Sequence, residues 1–311
     1  MKAPATLSFV IPAYNGAKRV AAVVEAVGRI EWSGGIELLL VDNASEDQTT
    51  GVFLRAAEQW LRSKPRCVFR AVLELERGLT PARFRGLREA VGDIICFLDD
   101  DNLPAPGFAN AVGLAFEDPA VGLVVPKVCP EYEVAPPPSL RSRGFLFAVN
   151  EHLGDAPIRW GRECVLAPTI GAGMALRREA AQGLLERHPA GSLMPDRKGR
   201  GLSSGGDIEI GALVLGMGYD RVYVPGALLK HRIPPARFQP VYLARLVLGL
   251  VRSQIELERR YLGKGVSGVE WLRACFEITC LLIAFPLSLP FVDMRRLMLM
   301  RIAGRWARLS G

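Results

Sequence analysis

Apolar residues come in short runs separated by helical patterns through the first 126 residues. LSFVI (7–11), IELLLV (36–41), CVFRAV (67–72), DIICFL (93–98) and VGLVV (121–125) have the length and composition of strands. Between them the spacing of apolar positions predicts helices from about Lys18, near 47–62, around 80–91 and near 107–116. Strands apolar on both faces, each followed by a helix, predict a parallel sheet covered on both sides. In such an α/β architecture ligands, nucleotides among them, bind at the carboxyl ends of the strands.

The pattern breaks from Cys129 to about Pro168, where APPPS (135–139) and charged sequence predict a surface excursion. TIGAGMALRREA (169–180) predicts a short strand running into a basic helix, and PAGSLMPDRKGRGLSSGG (189–206) a flexible loop. A helix over 207–216 and the strand YDRVYVP (219–225) close the compact part. From His231 to Gly311 the pattern is helical, and no internal repeat is visible.

Composition narrows the class. With 311 residues, 50% hydrophobic and 23% charged, the chain is neither disordered, collagenous nor a coiled coil. Its six cysteines lie singly, without the CxxC spacing of a zinc or redox site, which predicts reduced, mostly buried thiols in a cytosolic compartment. The start, MKAPATLSFVIPAYNG, lacks the long apolar run and cleavage site of a signal peptide.

Of the formal net charge of +7, about +4 lies after residue 260, beside the apolar stretch Ala274–Val292. No nucleic-acid motif accompanies it, so the basic end predicts membrane contact rather than nucleic acid. Spanning a bilayer takes about 20 mainly apolar residues. This stretch has 19, with Glu277, Pro286 and Pro290 inside. The expectation is therefore an interfacial hairpin or amphipathic segment, with Arg295, Arg296, Arg301, Arg305 and Arg308 toward anionic lipid. A buried helical or oligomer interface is the alternative.

The strongest local signal for chemistry is FLDDDN, in which Asp99, Asp100 and Asp101 follow an apolar strand. Three adjacent carboxylates repel, and a divalent cation, Mg²⁺ or Mn²⁺, relieves that repulsion. An acidic helix cap or solvated loop would share the pattern. The first two strands end in IPAYNG and VDNAS, so Tyr14 with Pro12 and Ala13 can face a base, and Asp42 and Asn43 can hydrogen-bond its edge or a ribose. GGDIEIG places Asp207 and Glu209 at a helix start, as base candidate or as N-cap. His231 follows a strand-ending stretch, as ligand or as packed side chain, and Arg232 and Arg237 beside it are phosphate or surface charges.

FVIPAYNG, LLLVDNASED, ERGLTPARFRGLREAVGDIICFLDDDN and GGDIEIG, in that order, resemble a family-2 glycosyltransferase of the inverting GT-A fold, over roughly residues 7–235. The resemblance implies a Rossmann-like mixed α/β sheet in a catalytic domain over 1–235, followed over 236–311 by a helical extension for membrane-surface or oligomer contact. It implies that Pro12, Ala13 and Tyr14 pack around the base and that Asp42 and Asn43 hydrogen-bond it, Asn43 standing where the family usually has Asp. It places Arg83 beside the nucleotide, Asp99 near the ribose, Asp100 within the same DXD motif, and Asp101 on the metal with His231. Gly173, in the GAGM loop (171–174), shapes the sugar pocket, and Asp207 is the base, although many relatives have Glu-Asp where this chain has Gly206 and Asp207.

The function so implied is metal-dependent transfer of a sugar from a nucleoside-diphosphate donor to a hydroxyl of a glycan or lipid-linked acceptor. Cell-surface polysaccharide or glycolipid synthesis, at the inner face of the membrane, is the expected setting. A non-catalytic scaffold of the same fold and a nucleotidyltransferase are the rivals, the latter disfavoured because IPAYNGAKR makes a poor phosphate loop.

Overall fold

A computed structural model describes residues 5–188, 194, 204–288 and 292–309. The chain forms two compact units, one of residues 1–131, 148–193 and 207–232, the other of 132–147, 194–206 and 233–311. The first holds the sheet. Its opening strands, β1 (Leu7–Ala13), β2 (Ile36–Asp42), β3 (Cys67–Leu73) and β4 (Ile94–Phe97), run parallel in the order β3-β2-β1-β4.

Alternation along these strands builds two apolar layers. Phe9, Ile11, Leu38 and Leu40 face one side, where α1 (Val20–Gly28), α2 (Thr49–Leu61) and α4 (Phe108–Ala115) bring Val24, Phe53 and Phe108. Val10, Leu39, Val41 and Phe97 face the other, where α3 (Leu79–Glu89), α5 (Arg178–Arg187) and α6 (Gly206–Gly216) bring Phe84, Leu184 and Val214. Each fully buried side chain of this size stabilises the fold by about 1.5–3 kcal/mol. One position in the β2 run is a buried charge: Glu37 accepts hydrogen bonds from Ser8 Oγ (2.5 Å), Val91 N (2.8 Å) and Arg70 Nε (3.1 Å). This network sits at the amino ends of the strands, away from the ligand edge.

Beyond β4 the sheet is mixed. The short β8 (Ala175–Arg177) inserts antiparallel between β4 and β6 (Val121–Tyr132), followed by β9 (Asp220–Ile233) and β5 (Asn102–Pro104), with β7 (Ile158–Trp160) on β9. One expectation is corrected here. Pro12 does not end β1, which runs on to Ala13; its missing N–H lies on the β4 side, beyond the last paired residue Val10. The segment after Cys129 keeps to the surface over most of its length, as expected, and is anchored at a few points. Leu140 and Phe147 are buried, and Asn150 donates to Pro126 O (2.9 Å) and accepts from Val128 N (2.7 Å).

In the second unit, α7 (Pro240–Leu262), α8 (Gly268–Ser288) and α9 (Val292–Leu309) follow β9, with α9 packed against both other helices. Ser267 caps α8 reciprocally: Glu270 N donates to Ser267 Oγ (3.2 Å) and Ser267 N to Glu270 Oε2 (3.0 Å). Ser139, from the proline-rich segment, donates through Oγ to Asp293 at the start of α9 (3.0 Å). No helix among the described residues is long and apolar enough to cross a membrane. All six cysteines are free thiols, but only Cys96 is buried, Cys280 is exposed and the other four are half-buried, against the expectation of mostly buried thiols. The loop predicted over 189–206 lies, apart from Met194 and 204–206, outside the described residues.

Candidate active site

Three strand ends and one helix start meet at the carboxyl edge of the sheet. After β4 the chain turns through Asp99–Asp101 and re-enters the sheet as β5. Asn102, fully buried, builds this turn. Its Oδ1 accepts from Asp99 N (3.0 Å), its N donates to Asp99 O (3.1 Å), and its Nδ2 donates to Asp101 Oδ1 (3.0 Å).

The same turn fixes the histidine. β5 pairs antiparallel with β9 so that Asn102 faces His231, and Arg232 N donates to Asp101 O (3.0 Å). His231 Nε2 then lies 3.5 Å from Asp101 Oδ1, both residues being under 10% exposed. Among the described residues they stand as a pair, not within a cluster of three or more metal-binding side chains. A carboxylate oxygen and an imidazole nitrogen are both donor types that divalent ions accept. Arg232 turns instead to Glu131 (2.9 Å), and Arg237 donates to Tyr242 Oη (2.6 Å).

Asp100 has a different task. Arg19 grips it with a fork, Nε to Oδ1 (3.0 Å) and Nη2 to Oδ2 (2.5 Å), and a side chain at Gly16 would collide with it. Burial pushes the Asp100 carboxyl up to about 6, against the pull of Arg19 and helped by the neighbouring carboxylates. Its carboxylate therefore braces the start of α1. Arg19 carries no pattern that sequence could flag.

The first two strand ends are stapled to each other. Asn15 N donates to Ser45 Oγ (3.1 Å), Glu46 N to Asn15 Oδ1 (2.8 Å), and Gly16 N to Thr49 Oγ1 (2.8 Å). Pro12 and Ala13 are buried at the strand end, whereas Tyr14 is 44% exposed with the Arg77 guanidinium 5.1 Å above its ring. Asp42 closes its own turn, accepting from Ser45 N (2.8 Å) and Thr50 Oγ1 (2.5 Å).

Asn43 is committed to the chain itself. Its Nδ2 donates to Glu74 O (3.1 Å) and Glu76 O (2.7 Å), and its Oδ1 accepts from Gly78 N (2.7 Å). Gly78 has φ 145°, which a residue with a side chain rarely adopts. Expected at the base edge, Asn43 instead uses both amide donors to hold the 74–78 loop against β2. An Asp here would set its carboxylate against two carbonyl oxygens.

The GAGM loop joins the end of β4 to the start of α6. Gly173, at φ +71°, donates to Phe97 O (2.7 Å), and Phe97 N donates to Met174 O (2.9 Å), which lays the loop along the end of β4. Arg83 is buried under it, its guanidinium 5.6 Å over the Phe97 ring and its Cζ within 2.9 Å of where a Gly171 side chain would start. Asp207, in the first turn of α6, accepts from Gly171 N through Oδ2 (2.8 Å) and from Ile208 N through Oδ1 (3.1 Å). Glu209 is buried and Asp207 only half-buried, so Asp207 is the carboxylate within reach of solvent.

Behind this loop lies a residue that the sequence did not single out. Arg221 is fully buried and donates to Thr169 Oγ1 (2.7 Å) and Cys164 O (2.8 Å), with its guanidinium 5.4 Å over the Trp160 ring. Burial lowers its pKa to about 10. It ties the segment that feeds Gly171 to β9.

A parallel sheet that turns mixed after its fourth strand, with an acidic turn at the changeover, defines a nucleotide-sugar-transferase type of fold. The model of glycosyl transferase family 2 matches residues 8–184, and the chain belongs to that family. It is 25% identical over 242 residues to an N-acetylglucosaminyltransferase of Mesorhizobium japonicum, an alignment covering 74% of this chain and 52% of the relative. The chain thus spans about half the length of that curated relative. In fold it is similar to a mannosyltransferase of Pyrobaculum calidifontis solved with GDP-mannose and Mn²⁺, with a TM-score of 0.58 at 20% identity over 99% of this chain and 73% of that one. It is also similar to S. aureus TarS solved with UDP-GlcNAc, with a TM-score of 0.50 at 14% identity over 98% and 91%.

Proposed function

We propose that the protein transfers a sugar from a nucleoside-diphosphate donor to a hydroxyl of a glycan or lipid-linked acceptor, with inversion at the anomeric carbon. The observation that carries this proposal is the linkage of three groups through the end of β4. Asp207 binds Gly171 N, Gly173 and Met174 pair with Phe97, and Phe97 leads into the Asp99–Asp101 turn that meets His231.

In this mechanism Asp207 is the general base. Its carboxylate takes the proton of the acceptor hydroxyl while that oxygen bonds to the anomeric carbon. The bond from that carbon to the diphosphate breaks on the opposite face, and its electron pair leaves with the diphosphate. One displacement of this kind inverts the centre, and a positioned base contributes about 10²–10⁴ in rate. Pro12, Ala13 and Tyr14 floor the base pocket, Asp42 shapes its turn, Asn43 acts on it through the 74–78 loop, and Asp99 faces the ribose. Asp101 and His231 would hold Mn²⁺ or Mg²⁺, which when bound supplies positive charge to the departing diphosphate.

The similar structures carry GDP-mannose in one case and UDP-GlcNAc in the other, so the fold leaves the donor base open. The setting we propose is polysaccharide or glycolipid synthesis at the cytosolic face of a membrane, supported by the basic helical end of the chain. Calorimetry of UDP, GDP and dTDP with and without Mn²⁺, followed by turnover of the matching nucleotide sugars, tests the proposal. Metal-dependent binding of one nucleotide, and turnover that Asp207→Asn lowers by about 10²–10⁴ without weakening that binding, is the expected result. Equal turnover in wild type and Asp207→Asn would overturn the assignment of the base, and no binding by any nucleotide would overturn the whole.

A further inference from the structure

The second unit has an opening of its own, a cavity of about 360 Å³ between α7, α9 and the 143–146 segment. That volume lies in the range of small-molecule sites. Its floor is aliphatic, with Val247 and Val251 from α7 and Met300 from α9. Gly304 lets the two helices close over it, since a side chain there would start 3.2 Å from Val247 Cγ1.

Its rim is cationic. Arg143, Arg301, Arg305 and Arg308 line it, and among the described residues no acidic side chain does. Arg305 is paired with Glu277 (2.5 Å) and Arg308 reaches Glu270 (3.5 Å). Arg143 donates to Ser139 O, a neutral partner, and Arg301 is exposed with no carboxylate within ion-pair distance among the described residues. An aliphatic floor beneath uncompensated guanidinium groups matches an amphiphile with a hydrocarbon chain and an anionic head. The same unit exposes Val269, Leu272 and Phe276, at i, i+3 and i+7 on α8, by 64% or more each. Such a stripe belongs to a helix lying in a lipid interface.

We infer that this groove is a binding site for one membrane phospholipid with an anionic headgroup, its phosphate at Arg143 and Arg301 and the start of its chain on Val247, Val251 and Met300. The inference rests on the membrane contact proposed above and is independent of the sugar-transfer chemistry.

The test uses the full-length protein and two readouts. Calorimetry measures dihexanoyl-phosphatidylglycerol below its micellar concentration against dihexanoyl-phosphatidylcholine and glycerol phosphate. Co-sedimentation measures vesicles of phosphatidylcholine with and without phosphatidylglycerol. The expected result is binding of the short-chain anionic lipid at least about tenfold tighter than of either control, with Arg301→Glu and Val251→Trp each weakening it about tenfold or more. Arg301 is exposed, so its variant keeps the test valid if Val251→Trp fails to fold.

Glycerol phosphate binding as tightly as the lipid would reduce the groove to a phosphate site and overturn the proposal. So would lipid binding indifferent to Arg301→Glu, or a dimer that Val251→Trp dissociates, which would assign the groove to a second copy. Short-chain lipid binding without vesicle sedimentation would uphold the groove and overturn the membrane contact. Sedimentation with anionic vesicles that both variants leave unchanged would do the reverse.

Discussion

Asn102 stands opposite His231 in the antiparallel β5–β9 ladder, and this register carries the preceding carboxylate, Asp101, to 3.5 Å from His231 Nε2. The three-residue β5 fixes this approach by returning the chain to the sheet directly after the acidic turn. Asp101→Asn and His231→Gln should each weaken Mn²⁺-dependent nucleoside-diphosphate binding by about tenfold or more, about 1.4 kcal/mol. The double variant should lose little beyond either single one, since both would hold the same ion. Fully additive losses in calorimetry would mean that the two act separately.

Asn43→Asp, although it restores the family's usual residue, should destabilise this chain. Two donors, to Glu74 O and Glu76 O, become acceptors facing acceptors. Losing two part-buried hydrogen bonds costs about 2 kcal/mol, the repulsion adding to it. Urea unfolding measures this, and amide exchange should speed up in the 74–78 loop before it does elsewhere. An Asp variant as stable as the wild type would show that the amide is not what holds the loop.

The sheet was legible because its central strands are buried on both faces and therefore read as unbroken apolar runs, with Glu37 as their one buried charge. What escaped was short or settled by pairing. β5 and β7 have three residues each, too few for a period. β9 runs on to Ile233 through Pro225 and Gly226, where alternation is interrupted. In the site, the acidic turn announced itself by repulsion, whereas the roles of Asp207 and His231 came from family resemblance. Arg19 and Arg221 left no trace in the sequence, since a lone Arg looks the same on a surface as under a helix. Asn102 did leave one, an Asn directly after an acidic turn, which favours a side chain bonded to its own turn.

Arg221 should matter for stability and for the site together. Arg221→Ala removes a large buried side chain and orphans Thr169 Oγ1 and Cys164 O, at a cost of about 3 kcal/mol or more. Arg221→Met keeps most of the volume and removes a charge that burial already disfavours, so it should cost roughly half as much. Because this segment leads into Gly171, Arg221→Met should also raise KM for the nucleotide sugar more than it lowers kcat. Thermal unfolding with steady-state kinetics separates the two effects, and Met costing as much as Ala would show that the hydrogen bonds outweigh the packing.

The protein should lose stability toward acid through the carboxylates of its C-terminal helices. Hydrogen bonds from Arg259 and Arg260 lower Glu256 to about 2. Ser267 lowers Glu270, and at Asp293 bonds from Arg296 and Ser139 outweigh the burial that would raise it. A carboxyl held below its unfolded value stabilises the fold above that value, near 4.5 for Glu, and the stabilisation disappears as pH falls toward about 2. The thermal midpoint of the protein, followed by helicity, should therefore be flat near neutrality and fall between these limits. Glu256→Gln should cost under about 1 kcal/mol at neutral pH, since the pair is largely solvent-screened, and should make the acid limb shallower. Circular dichroism across this pH window checks both, and an acid limb of unchanged steepness in Glu256→Gln would move the cause to Glu270 and Asp293.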